Sequence, residues 1–282
     1  MAQTTTQPVN PLPMPPVTVT ATNTLHEEAL MGPNQQPEWT ARRPFGITRV
    51  YVQPPWQVET EFGWDAMYPR GGSPQHEIQQ EIEIGLPYRF QLDYEIHGAN
   101  FAEGDQGGGR WRYDTSEWEV RWALAEWGKI PMNPTVKTEW KHSNGGQDAY
   151  EFDLLLGDEL ASRWHWGTDL FYEQAVNGDR RTEYAVSAAI SYSLIDEKVG
   201  IGLESRFDTE NDRFDRTTHP NVEVGPSMQW RPTPRTHLNL ETLFGVTGLY
   251  SPHVETFLFF GIDFGPGSEP NEGVRPVSLQ TK

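Results

Sequence analysis

From Val58 onward, apolar and polar residues alternate with a period of two, the pattern of a strand with one apolar and one polar face. Val58, Thr60, Phe62, Trp64, Ala66 and Tyr68 fall on one face, with Glu59, Glu61 and Asp65 on the other. Ile78, Gln80, Ile82, Ile84 and Leu86 then oppose Glu77, Gln79, Glu81 and Glu83. Tyr88, Phe90, Leu92, Tyr94 and Ile96 oppose Arg89, Gln91, Asp93, Glu95 and His97. The pattern recurs from Trp118 to Leu124, Val136 to Trp140, Tyr150 to Leu156, Trp164 to Tyr172 and Tyr184 to Tyr192. It continues from Val199 to Phe207, Val222 to Trp230, Leu238 to Phe244 and Val254 to Phe264. These runs predict twelve strands of about 8–13 residues, near the roughly 9–11 that a tilted strand needs to cross a bilayer. No segment carries the 3.6-residue period of a helix.

The joins between runs sort by length. Pro69–Gln75, Gly98–Gly109, Ser143–Gly146, Gln174–Arg181, Thr209–Pro220 and Val246–Pro252 follow the odd runs. Leu86-Pro87, Asp158-Glu159, Ile195–Lys198 and Pro232–Arg235 are the tight joins after even runs, with Gly128–Pro134 the longer exception. Outer-membrane barrels alternate in this way because their periplasmic turns are short and their external loops long. Aromatics also fall at both ends of the apolar face: Tyr88, Trp230 and Phe264 on the short-join side, and Trp64, Tyr68, Trp118, Trp140, Tyr172 and Tyr184 on the other. Twelve strands enclose more space than side chains readily fill, about eight being the comfortable number, so polar residues and water belong inside. The predicted fold is all-β, an antiparallel up-and-down transmembrane β-barrel over residues 58–265. A soluble sandwich or lipocalin-like barrel would give the same alternation with its polar face in water.

On this strand pattern, this loop alternation and its final strand, the sequence resembles the small, roughly twelve-stranded bacterial outer-membrane β-barrel proteins, of porin or channel type. Gly261-Ile262-Asp263-Phe264 is similar to the Gly-x-x-aromatic element that ends such barrels, although Phe259 stands where a polar residue is common and a tail, residues 266–282, follows. The resemblance implies a bacterial outer-membrane location, contact with outer-membrane lipid and recognition by the barrel-assembly machinery.

Residues 1–57 differ, holding ten of the 23 prolines, a density that blocks helices and sheet ladders alike. They predict a Pro-rich, largely extended or disordered leader, with some β character over Phe45–Val52. Met1-Ala2-Gln3 reads as a mature N-terminus, its signal removed and an initiator methionine added. Pro16–Thr22 faintly resembles the energy-coupling box of TonB-dependent receptors, but their plug domain and 22 strands are missing, so it reads as a linker. The absence of cysteine excludes a disulfide scaffold, an iron–sulfur cluster and thiol catalysis. With 40 acidic against 22 basic residues and a net charge of −18, the chain is unsuited to nucleic acid.

Charge changes the picture most on the inward face. Glu59, Glu61, Glu81, Glu83, Asp93, Glu95, Glu117 and Glu119 from the first four strands have inward parity, as do Glu151, Asp153, Asp169, Glu204, Glu223 and Glu241 further on. Fewer bases join them, among them Arg89, Arg121, Arg163 and Arg206. These are the candidate pore-lining residues. A narrow cleft of net negative charge focuses the field and favours cations, so the expected function is a passive channel for small polar or cationic solutes. The alternative is a closed structural or surface-interaction barrel whose charges form a salt-bridged plug.

Catalysis is the lesser alternative. Trp140–Gly146 resembles the His-x-Ser-Asn-Gly element of outer-membrane phospholipase A, whose serine is the nucleophile and whose histidine is the base, but the spacer is missing. Adjacent on a strand, His142 and Ser143 face opposite ways. Asp208–Asp212 alternates acids as calcium loops do, yet lacks the required glycine and has His219 at the twelfth position, so it reads as a solvated loop. Gly107-Gly108-Gly109 reads as a flexible loop, and His97, His165 and His237 lie inward on separate strands. No catalytic residue, cofactor or metal is assigned.

Overall fold

The computed structural model describes residues 25–46, 49–101, 110–214, 218, 220–248 and 251–265. Twelve antiparallel strands form one closed barrel. They are β1 (Val58–Tyr68), β2 (Gln75–Leu86), β3 (Phe90–Phe101), β4 (Arg110–Ala123), β5 (Thr135–Ser143), β6 (Ala149–Ala161), β7 (Trp164–Ala175), β8 (Thr182–Ile195), β9 (Val199–Asn211), β10 (Asn221–Thr233), β11 (Thr236–Gly245) and β12 (Val254–Phe264). Each pairs with its neighbour in sequence, and β12 closes on β1 from Phe264↔Val58 to Val254↔Tyr68. Closure leaves no strand edge unpaired, which a lipid environment requires.

The predicted faces hold. Phe62, Phe152, Leu170, Leu203 and Phe244 are exposed outside, whereas Glu59, Glu83, Asp93, Glu204 and Asp263 are buried inside. Outward aromatics pair across strands near both rims: Phe90 stacks with Trp122 and Trp164 meets Tyr192 at one end, and Tyr172 meets Tyr184 at the other. Such belts sit at the two membrane–water interfaces. Among the described residues no helix is long and apolar enough to cross a membrane.

Several local boundaries move: β9 runs on to Asn211 and β7 to Ala175, and Tyr88 and Arg89 lie in a 3₁₀ turn rather than a strand. β6 continues through Asp158 and Glu159 to Ala161, and the turn falls at Ser162-Arg163, where Arg163 takes φ 70°. Glu159 pairs with His165 in the β6–β7 ladder, and its carboxylate accepts a hydrogen bond from the indole of Trp39, at 2.7 Å. β3 likewise extends past Gly98 to Phe101.

The larger difference lies before β1. Residues 1–24 fall outside the description, including the linker expected over Pro16–Thr22. From Leu25 to Gln57 the described chain is not an extended leader. It folds back into the barrel as an inner segment, with short 3₁₀ turns at His26–Glu28 and Glu38–Arg42 and a two-residue ladder, Leu30–Met31 with Gln36–Pro37. The prolines leave only this short ladder, in which Pro37 itself lies opposite Leu30, and they do not prevent burial. Phe45, Val50, Tyr51 and Val52 are fully buried in the lumen.

Candidate functional site

The inner segment occupies the short-connection end of the lumen, and its anchors show why. The Trp56 N–H donates to the Gly85 carbonyl at 2.7 Å. The Ser162 hydroxyl donates to Glu28 at 2.6 Å, Asp196 accepts from the His26 N–H at 2.9 Å, and Arg42 reaches the Pro234 carbonyl. Gly85, Ser162, Asp196 and Pro234 lie at or beside short connections. The long exception between β4 and β5 has the same purpose. Its Trp127 N–H donates to Asn34, its Ala125 carbonyl accepts from the Tyr51 hydroxyl at 2.7 Å, and the Trp127 ring packs edge-on to Trp39 and Tyr51.

The wall makes room for the segment. Gly157 and Gly167 face each other across β6 and β7, and a Cβ at Gly157 would lie 2.8 Å from Val50, one at Gly167 2.8 Å from Phe45. Side chains absent at this pair let Val50 and Phe45 lie directly on the backbone.

Inner-segment cations then meet wall anions. Arg43 pairs with Glu61, and Arg49 bridges Glu59 at 2.8 Å and Glu83 at 3.2 Å. The Gly46 N–H donates to Glu204 at 2.8 Å. Arg43 also lies 4.5 Å over the ring of Phe259, so the apolar residue in the final strand is an inward cation–π platform. Asp263, inward on the same strand, accepts hydrogen bonds from Gln57 and Arg231. Four predicted wall residues, Glu59, Glu61, Glu83 and Glu204, therefore hold the inner segment.

Beyond it, toward the long connections, the lumen widens into a vestibule. One cavity, about 380 Å³, has Arg43 and Arg49 at its floor; a second, about 470 Å³, reaches Met67 and Pro252, and they share Lys137, Glu151, Asp169 and Arg206. The first is lined by eight carboxylates against five arginines and lysines, so its balance is negative. Among the expected residues, Glu81, Glu83, Glu95, Glu117, Glu119, Arg121, Glu151, Asp169 and Arg206 line it. Asp153 pairs with Lys137 at 2.6 Å and Glu223 with Arg206 at 2.8 Å, while Asp93 lies 3.5 Å from Arg121 and Glu241 lies against Gly46.

Arg89 and Arg163 do not line the lumen. They sit at the short-connection rim, donating to the carbonyls of Ala123 and Ser193, because a turn rather than a strand sets their direction. Glu139 was not among the expected residues. It lines the vestibule, and its shared parity with Lys137 and Lys141 was the signal for it. Arg43 and Arg49 had no such signal, lying in a proline-rich stretch without period.

The histidines find separate partners. His165 stacks on Trp39, 4.5 Å between rings, His237 lies between Glu59 and Glu61, and His97 sits among Glu77, Glu95 and Glu117. At the outer end of β5, His142 Nδ1 lies 2.8 Å from Asp148, which also accepts from the Ser143 N–H. The histidine nitrogen is thus engaged by a carboxylate.

No family model matches the sequence, and no curated protein matches it. Solved structures do. A crystal structure of an outer-membrane channel from Pseudomonas putida F1 is 10% identical, covering 76% of this chain and 98% of its own, with a TM-score of 0.58. The NanC porin is 14% identical, covering 74% of this chain and 100% of its own, with a TM-score of 0.50. The fold is that of a bacterial outer-membrane β-barrel. Its apolar residues form an exposed outer surface, the arrangement such barrels present to lipid.

Proposed function

We propose that this outer-membrane barrel is a passive channel for small polar or cationic solutes, entered through the acidic vestibule and constricted by the inner segment. The carrying observation is the excess of carboxylates lining the vestibule down to Arg43 and Arg49. A low-dielectric wall focuses that charge and concentrates cations. Glu81, Glu95, Glu117, Glu151 and Asp169 are the residues proposed to set selectivity, with the inner-segment arginines as a positive floor. We further propose β12, with Gly261 and Phe264, as the element recognised by the assembly machinery.

The filled inner end supports a second reading, a barrel closed to transport. Trp39, Phe45 and Val50–Val52 leave that end a packed core rather than a pore. Conductance in planar bilayers separates the two. The channel reading expects small, cation-selective currents from the full chain, with selectivity reduced in the triple variant Glu95→Gln, Glu117→Gln and Glu151→Gln. A folded barrel that passes no current at any voltage overturns it.

A further inference from the structure

His97 is where the vestibule wall departs from regular strand geometry. Ile96 pairs with Ser116 but Gly98 pairs with Tyr113, so a β-bulge on β4 lies opposite His97. Bulges re-aim side chains and cluster near functional sites. The imidazole here has carboxylates at both nitrogens: Nδ1 meets Glu77, and Nε2 lies 3.1 Å from Glu95 and 3.6 Å from Glu117. One ligand atom from each of Glu95, His97 and Glu117 falls within a 4.8 Å set. Tetrahedral zinc with bonds of about 2.1 Å separates its ligand atoms by roughly 3.4 Å, which the 3.1 and 3.6 Å distances bracket.

The surroundings have the form of a supported metal site. Histidine ligands ordinarily give their second nitrogen to a carboxylate that fixes tautomer and ring orientation, and Glu77 stands there. The Thr115 hydroxyl, from the bulge, donates to Glu117 Oε1 at 3.0 Å and orients it. His97 Nε2 is buried with no hydrogen-bond partner of adequate geometry. Glu139, a deeply buried side chain lying against Glu117, likewise has an unpartnered oxygen on the same cavity. The cationic neighbour, Lys141, sits closer to Glu173, at 3.0 Å, than to Glu117, at 3.5 Å.

We infer that His97, Glu95 and Glu117 form a binding site for one divalent first-row cation of the zinc type, oriented by Glu77 and Thr115, with its remaining position open to the vestibule. One imidazole with two carboxylates suits such borderline ions, whereas calcium and magnesium prefer all-oxygen shells. Access from outside rests on the proposed channel reading; the ligand set does not.

The test uses the full chain, purified in detergent and stripped with chelator. Co²⁺ titration followed by visible absorption, and Zn²⁺ titration by calorimetry, are expected to give one ion per barrel. His97→Ala should weaken binding at least tenfold and abolish the Co²⁺ spectrum, and Glu77→Gln should weaken it about tenfold. His142→Ala, at the exposed outer end of β5, should leave it unchanged. Glu117→Gln provides a second ligand variant should His97→Ala fail to show the gel shift of a folded barrel. No binding at millimolar metal, or binding unaltered in both His97→Ala and Glu117→Gln, overturns the inference. Bilayer recordings without metal keep the two proposals apart: current without metal binding defeats the site alone, and metal binding without current defeats the channel alone.

Discussion

At the scale of single residues, Arg49 carries the most charge compensation in the inner segment. Its guanidinium faces Glu59 and Glu83, and all three side chains are almost wholly buried. Removing one partner of a buried ion pair leaves an uncompensated charge and costs about 3–5 kcal/mol. Arg49→Gln is therefore expected to lower the unfolding free energy by about that amount in chemical denaturation from liposomes. Replacing the whole set with Arg49→Met, Glu59→Gln and Glu83→Gln should recover most of the loss, since it is the stranded charge that is costly. At the rim, Glu197 acts as a proton-dependent contact. Burial first, then the neighbouring Glu38 carboxylate and a hydrogen bond to it, pushes Glu197 up to about 7, against weaker pulls from His26 and Arg42. The folded chain thus keeps this proton to higher pH than the unfolded chain does. Its stabilising effect is fully present at acid pH and is lost as pH rises from the ordinary glutamate range to about 7. Amide exchange over residues 38–42, corrected for intrinsic rates, should be faster at about pH 8 than at about pH 5. Glu197→Gln should remove that difference, and a difference that survives the substitution would rule Glu197 out.

At the scale of elements, the inner segment depends on the contour of the wall as much as on charge. Phe45 and Val50 lie against Gly157 and Gly167, and each such side chain contributes about 1.5–3 kcal/mol on full burial. A valine at position 167 would put branched carbon where Phe45 and Val50 already sit. Gly167→Val is expected to expel the segment while leaving the twelve-strand ladder intact. Limited proteolysis should then cut between residues 38 and 57 in the folded, heat-modifiable barrel, and continued protection there would show that the wall yields instead. These two elements were unequally legible in the sequence. The strands were readable because a period of two needs only neighbouring residues to express it, and one continuous cylinder repeats it twelve times. The segment was not, because what fixes Phe45 and Val50 is a glycine pair more than a hundred positions away, and no local period records such a match. Pro44, Pro54 and Pro55 announced the absence of a strand correctly; they carried no information about where a non-strand would lie. The long join after β4 was the one hint, an irregularity in otherwise tight turns that is resolved by Trp127 and Ala125 holding Asn34 and Tyr51.

At the scale of the whole molecule, the barrel places apolar surface outside and charge inside, the reverse of a soluble protein, and this inversion makes one substitution diagnostic. Leu154, Leu170 and Val186 face outward side by side at the middle of β6, β7 and β8. In water, an arginine at an exposed position such as Leu170 would be nearly neutral, within about 0.5 kcal/mol, because it touches nothing that rejects charge. In hydrocarbon the same guanidinium must be desolvated or must drag water and headgroups inward, which costs about 2–4 kcal/mol at the midplane and little near the interfaces. Leu170→Arg should therefore destabilise the barrel in liposomes by about 2–4 kcal/mol. The same change at Tyr184, beside the outer rim, should cost less than about 1 kcal/mol. The depth dependence is the decisive quantity, since a packing defect would not follow distance from the rim. Equal costs at Leu170 and Tyr184 would mean that the outer surface does not meet a graded hydrocarbon layer. The opposite substitution completes the argument. Glu151→Leu, on the neighbouring inward face, removes a partner from Lys137, so a change that adds hydrophobicity should destabilise the barrel while one that adds charge outside does the same. The same barrel standing in water, with Leu170 exposed to solvent, would tolerate Leu170→Arg far better than this one is expected to, whereas Glu151→Leu would strand the Lys137 charge in either medium, so only the outer substitution reports on what surrounds the barrel.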